Sequence, residues 1–435
     1  MKFASTRNPQ EKVTLREAVF RGLAPDGGLY HPDTVPALGS LIESFGPGAS
    51  TAEIGEALTA ALFGPEISPE AAGRICRRAF TFEPALVELS PGLTILELFH
   101  GPSCAFKDFG VSFLAALMEE FLSQEASKAL ILTATSGDTG SAVARAFHQR
   151  ENIDVVILYP SGRVSPLQEK QLTTLGGNIT ALEVKGSFDD CQAMVKEAFV
   201  DAELSARLRL TSANSINLGR LVPQAFYYVF AASRLDMSRR KKGPVFCVPS
   251  GNFGNLTAGV MAWQWGLPVT GFIAATNINK TVPEYLKSGL YAPRASVRTL
   301  SNAMDVGDPS NFERLKTIFG GDKEKMAALI TGVYITDEET REAIRAVYAE
   351  AKMFLDPHTA LGIAAARRVA PHGEAPVISL ATAHPGKFLE IVEEATGSLP
   401  PLPESLAAVL NLPKKSVLVD NTGSALKKFL RERFL

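Results

Sequence analysis

Cysteine is scarce here: four residues in 435, far apart and without a CxxC pair, which leaves no framework for a zinc site or a disulfide scaffold. Neither sign of charge is in excess. The 44 basic and 46 acidic residues give a formal net charge of −2, so nothing suggests a nucleic-acid or anionic-membrane partner. No stretch approaches the ~18 apolar residues of a membrane span. The opening Met1-Lys2-Phe3-Ala4-Ser5-Thr6-Arg7 has no apolar leader core. Reduced thiols (Cys76, Cys104, Cys191, Cys247) and a cytoplasmic location are therefore the expectation. Internal repeats and low-complexity segments are also lacking. What remains is a chain with 46% hydrophobic and 21% charged residues, long enough for two or three domains with a large core.

From about residue 129, short apolar segments alternate with amphipathic ones. Ala129–Ala134, Val155–Tyr159 and Ile179–Val184 predict strands. Between and after them, Ser141–Gln149, Pro166–Thr174 and a segment from Phe188, capped by Ser187, predict helices. A second series places strands at Val245–Val248, Val269–Ala275 and Pro376–Leu380, with helices from Leu256, over Asp337–Ala351 and over Lys387–Ala395. This repetition implies parallel sheets covered by helices on both faces. Residues 1–92 read differently, as a helical N-terminal domain with segments Leu15–Leu23, Ala52–Leu62 and Pro69–Ala79. Two α/β domains, 93–244 and 245–435, complete the expected organisation, with a site between them. The Pro-dotted stretch Gly397–Pro413 is expected to wrap the surface before a basic helix, Ser424–Phe434.

One lysine stands out. In Phe99-His100-Gly101-Pro102-Ser103-Cys104-Ala105-Phe106-Lys107-Asp108-Phe109-Gly110, Lys107 lies between two phenylalanines at the start of the apolar run Val111–Leu122. Apolar surroundings disfavour the ammonium and leave a nucleophilic amine, the chemistry of a Schiff-base lysine. Alone, a lysine that snorkels outward is the commoner outcome.

Two Gly-rich turns join a predicted strand to a predicted helix: Thr135-Ser136-Gly137-Asp138-Thr139-Gly140 and Ser250-Gly251-Asn252-Phe253-Gly254-Asn255. Such turns lie at the carboxyl edge of a parallel sheet, where glycine permits close approach and a helix N-terminus favours an anion. Either could also be an ordinary turn that needs glycine. No G-x-x-x-x-G-K-[ST] or G-x-G-x-x-G is present, so a P-loop nucleotide site and a nicotinamide site are poorly supported. Thr382 ends another strand ahead of Ala383-His384-Pro385, and Ser212-Ala213-Asn214-Ser215-Ile216-Asn217-Leu218-Gly219-Arg220 gathers amides and hydroxyls around an arginine suited to phosphate or carboxylate. A lysine nucleophile, two anion cradles and a polar strand end together suggest pyridoxal 5′-phosphate.

The ordered motifs also carry a resemblance. Ser5-Thr6-Arg7 with Gly22–Tyr30, His100–Asp108, Thr135–Gly140, Asn214–Asn217, Pro249–Asn255, Asn302–Asn311 and Thr382–Pro385 are similar to motifs of the threonine synthase family, bacterial and fungal branch. That resemblance implies a tryptophan-synthase-β-like (fold type II) α/β fold and conversion of O-phospho-L-homoserine and water to L-threonine and phosphate. It implies Lys107 as the Schiff-base residue, and Gly251, Asn252, Phe253, Gly254 and Asn255 as the cradle of the cofactor phosphate. Thr382 would face the pyridine nitrogen. Thr135, Ser136, Asp138 and Thr139 would surround the substrate carboxylate, and Ser215, Asn217 and Arg220 the substrate phosphate. No metal is implied, and the chain is expected as a monomer or homodimer. Asp138 poses a problem: an ionised carboxylate there repels a substrate carboxylate unless it is protonated, turned away or paired with a cation. A related lyase, releasing a 2-oxo acid and ammonia, is the nearest alternative. A binding protein that kept its cofactor but lost catalysis is the alternative from another class.

Overall fold

The computed structural model describes residues 1–123, 127–369 and 375–435. Its strands, in chain order, are β1 (Phe3–Ser5), β2 (Lys12–Val13), β3 (Tyr30–Pro32), β4 (Ala85–Ser90), β5 (Leu93–Glu97), β6 (Ala129–Ala134) and β7 (Ile153–Pro160). They continue as β8 (Ile179–Val184), β9 (Leu210–Thr211), β10 (Val245–Pro249), β11 (Gly271–Thr276), β12 (Ile330–Tyr334), β13 (Val377–Ala381) and β14 (Ser416–Val419).

Two sheets position the site. One has the order β12-β11-β10-β13-β5-β4, the other β14-β8-β7-β6-β9. All pairs within them are parallel except β4 with β5. Parallel strands need helical crossovers, so both faces are covered and the strands read as near-continuous apolar runs. In β6 and β7 the two-residue period splits the side chains between two cores. Ile131, Val155 and Ile157 enter the large central cluster, whereas Leu130, Leu132, Val156 and Leu158 pack with Met194, Leu426 and Leu430.

Sheet membership cuts across the borders expected at 92/93 and 244/245. The strand β4 pairs with β5 across the first border, and β5 pairs with β13 and β14 with β8 across the second. The N-terminal region has the helices Leu15–Arg21, Thr51–Phe63 and Pro69–Ala79, and also an antiparallel sheet in the order β2-β1-β3. The segment after Asn217 forms two helical pieces, Leu218–Leu221 and Gln224–Ser233. Pro223 sits between them, where it can start a helix but cannot continue one. The expected helix Lys387–Ala395 begins instead with a 3₁₀ turn, Pro385–Lys387, before Leu389–Thr396. The helix Asp337–Ala351 has its expected bounds, with Thr336 and Glu339 forming a capping box.

Candidate active site

The loop after β5 leads to Lys107, the first residue of the helix Lys107–Leu122. Beside it, the Leu98 N–H donates to the Ala381 carbonyl (3.0 Å), and the Phe106 N–H donates to the Thr382 carbonyl (2.9 Å). Thr382, directly after β13, is therefore held against the residue preceding Lys107. Cys104, within that loop, has a φ of 56°, left-handed backbone that a non-glycine residue adopts at a cost of about 1 kcal/mol.

Lys107 Nζ lies 3.3 Å from Asp138 Oδ2 and 5.4 Å from the centroid of the Phe106 ring. Burial pushes its pKa below the usual lysine value, and the nearby Lys387 and Arg220 charges add to that, against the pull of Asp138. The result is an amine poised toward its neutral, nucleophilic form.

Asp138 begins the helix Asp138–Phe147 after β6. Its Oδ1 is 2.6 Å from Lys387 Nζ and accepts from Gln168 Nε2 at 2.9 Å. Burial opposes its charge, but Lys387 and Lys107 outweigh burial and hold the carboxyl well below the usual carboxylate range. Of the three states open to Asp138, the structure has the cation-paired one. Thr135 Oγ1 accepts from the N–H groups of Gly137 (3.0 Å) and Gly140 (2.8 Å) and so shapes this turn. Ser136 and Thr139 are half-buried along it. Gly137, at φ +139°, also touches the Gln168 side chain where any Cβ would sit.

The second turn follows β10. Gly251 packs against the segment carrying Met304, leaving a Cβ only 2.5 Å from the Met304 Cα. Phe253 has a φ of 60°, and the helix Gly254–Gln264 starts directly after it. The first turn of any helix has N–H groups without intrahelical acceptors, which favours an anion at that end. Asn255 secures the turn: Oδ1 accepts from Ser250 Oγ (2.5 Å), and Nδ2 donates to the Pro249 carbonyl (2.8 Å). Asn252 spans outward, donating to Ser215 Oγ at 2.6 Å and accepting from the Ser310 N–H at 2.6 Å.

In the third loop, Asn217 is fully committed to the protein. Its amide donates to the carbonyls of Val19 (2.9 Å) and Ser212 (2.8 Å) and accepts from the Gly219 N–H (2.9 Å), which fixes the loop. Arg220 is buried and donates from Nη1 to the Ala213 carbonyl at 2.8 Å, while its Nε has no protein partner among the described residues. Burial lowers its pKa to about 10.

These loops bring a buried amine, a glycine-opened helix N-terminus and a buried guanidinium to the carboxyl edges of two sheets. Known proteins match along the whole length. Residues 2–80 match the family described as threonine synthase N terminus, residues 88–382 pyridoxal-phosphate dependent enzyme, and residues 359–430 threonine synthase, C-terminal. A threonine synthase of Haemophilus influenzae is 42% identical over 430 residues, 99% of each chain. The chain belongs to the threonine synthase family. The solved threonine synthase of Escherichia coli is 41% identical with a TM-score of 0.92, covering 99% of this chain and 100% of that one. The pyridoxal-phosphate-bound threonine synthase of Brucella melitensis is 36% identical with a TM-score of 0.93, covering 99% of each. The expected fold type II architecture is thus the one present, and the cofactor is pyridoxal 5′-phosphate. The residues fit that group: a carbonyl-bearing, phosphorylated molecule calls for an amine whose charge is disfavoured and for N–H donors on a glycine-opened turn.

Sequence reasoning missed three members of the constellation. Lys387 stands at the start of an expected helix, where a cation is disfavoured, and that is the signal the sequence offers. Gln168 lies within a helix that gave no sign of its partner. Arg314, among the largest fully buried side chains, donates from Nε to the Tyr30 carbonyl (2.9 Å) and from Nη2 to the Ile216 carbonyl (2.6 Å). It ties the Ser215 loop to the N-terminal sheet.

Proposed function

We propose that this chain converts O-phospho-L-homoserine and water to L-threonine and phosphate. The observation that carries the reading is the buried Lys107 amine, 3.3 Å from an ionised Asp138, in a chain related to threonine synthases from end to end. Lys107 is the residue to hold the cofactor covalently, and Gly251, Asn252, Phe253, Gly254 and Asn255 are those to hold its phosphate. Thr382 would offer the pyridine nitrogen a neutral hydroxyl, which would not hold that nitrogen protonated as a carboxylate would.

When bound, pyridoxal phosphate supplies an electron sink for charge developing on the substrate carbons. Lys107 Nζ, when not bonded to the cofactor, would be placed to take protons from the α and β carbons and to return them at the γ and α carbons, while water supplies the hydroxyl at the β carbon. Asp138, paired with Lys387, holds that nitrogen in place. Because the Asp138 carboxylate is charged, the substrate carboxylate falls to the hydroxyls of Ser136 and Thr139 and to the N–H groups of the turn that Thr135 shapes. Arg220 and Ser215 take the substrate phosphate, in a loop that Asn217 fixes, and Arg220 stabilises the negative charge as phosphate departs.

The deciding experiment is incubation of the purified holoenzyme with O-phospho-L-homoserine. Threonine and inorganic phosphate in equal amounts support the proposal. A 2-oxo acid with ammonia would make the chain a lyase, and no product at all would make it a cofactor-binding protein.

A further inference from the structure

We propose that Lys387 is a positioning residue: its ammonium keeps the Asp138 carboxylate charged beside the Lys107 nitrogen while Lys107 is bonded to the cofactor. The inference rests on the assignment of Lys107 as the cofactor lysine.

Lys387 comes from the 3₁₀ turn after β13, its side chain 0% exposed. Its Nζ reaches Asp138 Oδ1 at 2.6 Å and donates to the Ser103 carbonyl at 2.9 Å. One ammonium thus ties together the turn after β13, the turn after β6 and the loop leading to Lys107. The carboxylate between them has a divided environment. Its Oδ2 faces Lys107 Nζ, and its Oδ1 faces Lys387 and the Gln168 amide.

With Lys107 as a free amine, two lysines share one carboxylate. Condensation of Lys107 Nζ with an aldehyde forms a carbon–nitrogen double bond and releases water, and the nitrogen is then no longer a dependable ammonium. Lys387 is the cation in contact with Asp138 that this condensation leaves untouched. A buried carboxylate without a counter-charge takes up a proton instead. The neighbouring Asp108 illustrates the tendency. It is buried, it accepts the Ser103 N–H at 2.9 Å, and burial still pushes it up to about 6.

Among the described residues, no cation besides Lys107 and Lys387 is in ion-pair contact with Asp138. Arg220 Nη1 is engaged by the Ala213 carbonyl, His358 Nδ1 lies 2.7 Å from Asp356, and Asp108 carries the opposite charge. A bonded nitrogen at Lys107 next to an ionised carboxylate favours its protonated form, and next to a neutral carboxyl it does not. Lys387 therefore sets the protonation of the Lys107 nitrogen without touching substrate.

The test is a pH titration of the visible absorption band of the holoenzyme, without substrate, for the unmodified protein, Lys387→Met, Asp138→Asn and the double variant. The unmodified protein is expected to show no one-proton step between about pH 6 and 9, and Lys387→Met to gain one there, as a buried carboxylate that has lost its cation should. In the Asp138→Asn background the added step disappears, the non-additivity expected of residues acting as a unit. Lys387→Arg, which keeps the charge, lacks the step. Should Lys387→Met fail to fold, Lys387→Gln keeps hydrogen-bonding capacity without charge and gives the same readout. An unchanged titration in the neutral variants overturns the proposal, as does a step that survives in the double variant, which would belong to Asp108. An unmodified protein with no visible band when mixed with pyridoxal phosphate overturns the assignment of Lys107, and the inference with it.

Discussion

Asn252 Nδ2 donates to Ser215 Oγ across 2.6 Å, joining the loop that follows β10 to the loop that precedes Arg220. The first loop is proposed to hold the cofactor phosphate and the second the substrate phosphate, so one hydrogen bond fixes their separation. Asn252→Ala removes it and leaves the Ser310 N–H without its acceptor. The bond to Ser215 is part-buried and contributes about 0.5–1.5 kcal/mol, whereas the exposed Ser310 N–H turns to water. The expected outcome is a KM for phosphohomoserine raised on the order of tenfold and faster loss of cofactor on dialysis. If both stay at their unmodified values, the bond has no part in spacing the two sites.

Lys107→Ala removes the nucleophile while the Phe106 ring, 5.4 Å from Nζ, remains. The visible band of the lysine-bound cofactor and turnover should vanish together. Turnover retained by the alanine variant would take the lysine out of the chemistry.

Arg220→Ala separates the two anion sites. Hydrogen bonds between charged groups contribute about 1.5–3 kcal/mol each. The value of kcat/KM for phosphohomoserine should therefore drop by roughly 10- to 150-fold, with the cofactor retained. Equal loss of cofactor would place Arg220 at the other phosphate.

His384 predicts a limit at low pH. Burial pushes its imidazole down to about 4 from an ordinary 6.5, with His100 and Lys387 adding to the effect. The neutral ring is required by geometry as well, because Nδ1 accepts the Gly386 N–H at 3.0 Å. The unfolded chain binds the proton first as pH falls. The His384 contribution to stability is thus complete above about 6.5 and is lost as pH drops through about 4. In His384→Asn, whose amide oxygen can accept the same N–H, urea unfolding should show a shallower loss of stability between pH 6.5 and 4. Parallel curves for the two proteins would assign the acid sensitivity to other groups.

What could be read from the chain follows from how locally each feature is encoded. The helix Asp337–Ala351 and the strand β8 have the bounds read from sequence, because a capping box, and a mostly apolar segment set between Gly176-Gly177 and Lys185-Gly186, are complete within a few residues. The N-terminal sheet was missed: β2 is two residues long and β1 and β3 three each, too short for alternation to register. The site loops were legible as glycine punctuation after apolar runs. The pairing of Asp138 with Lys387 was not, since 249 positions separate residues that only the meeting of two sheets brings within 2.6 Å.

The strand β14 has a consequence for the order in which this molecule can be completed. It pairs with β8 through Ser416–Val419, and the helix after it delivers Leu426 and Leu430 to the core beneath β6 and β7. During translation, the sheet that carries the Asp138 turn keeps an unpaired edge and an only partly covered apolar face until the segment from residue 416 has left the ribosome. Such an edge invites pairing with other chains. A nascent chain stalled before residue 416 is therefore expected to be a client for chaperones, even though the residues proposed for its chemistry have already been made.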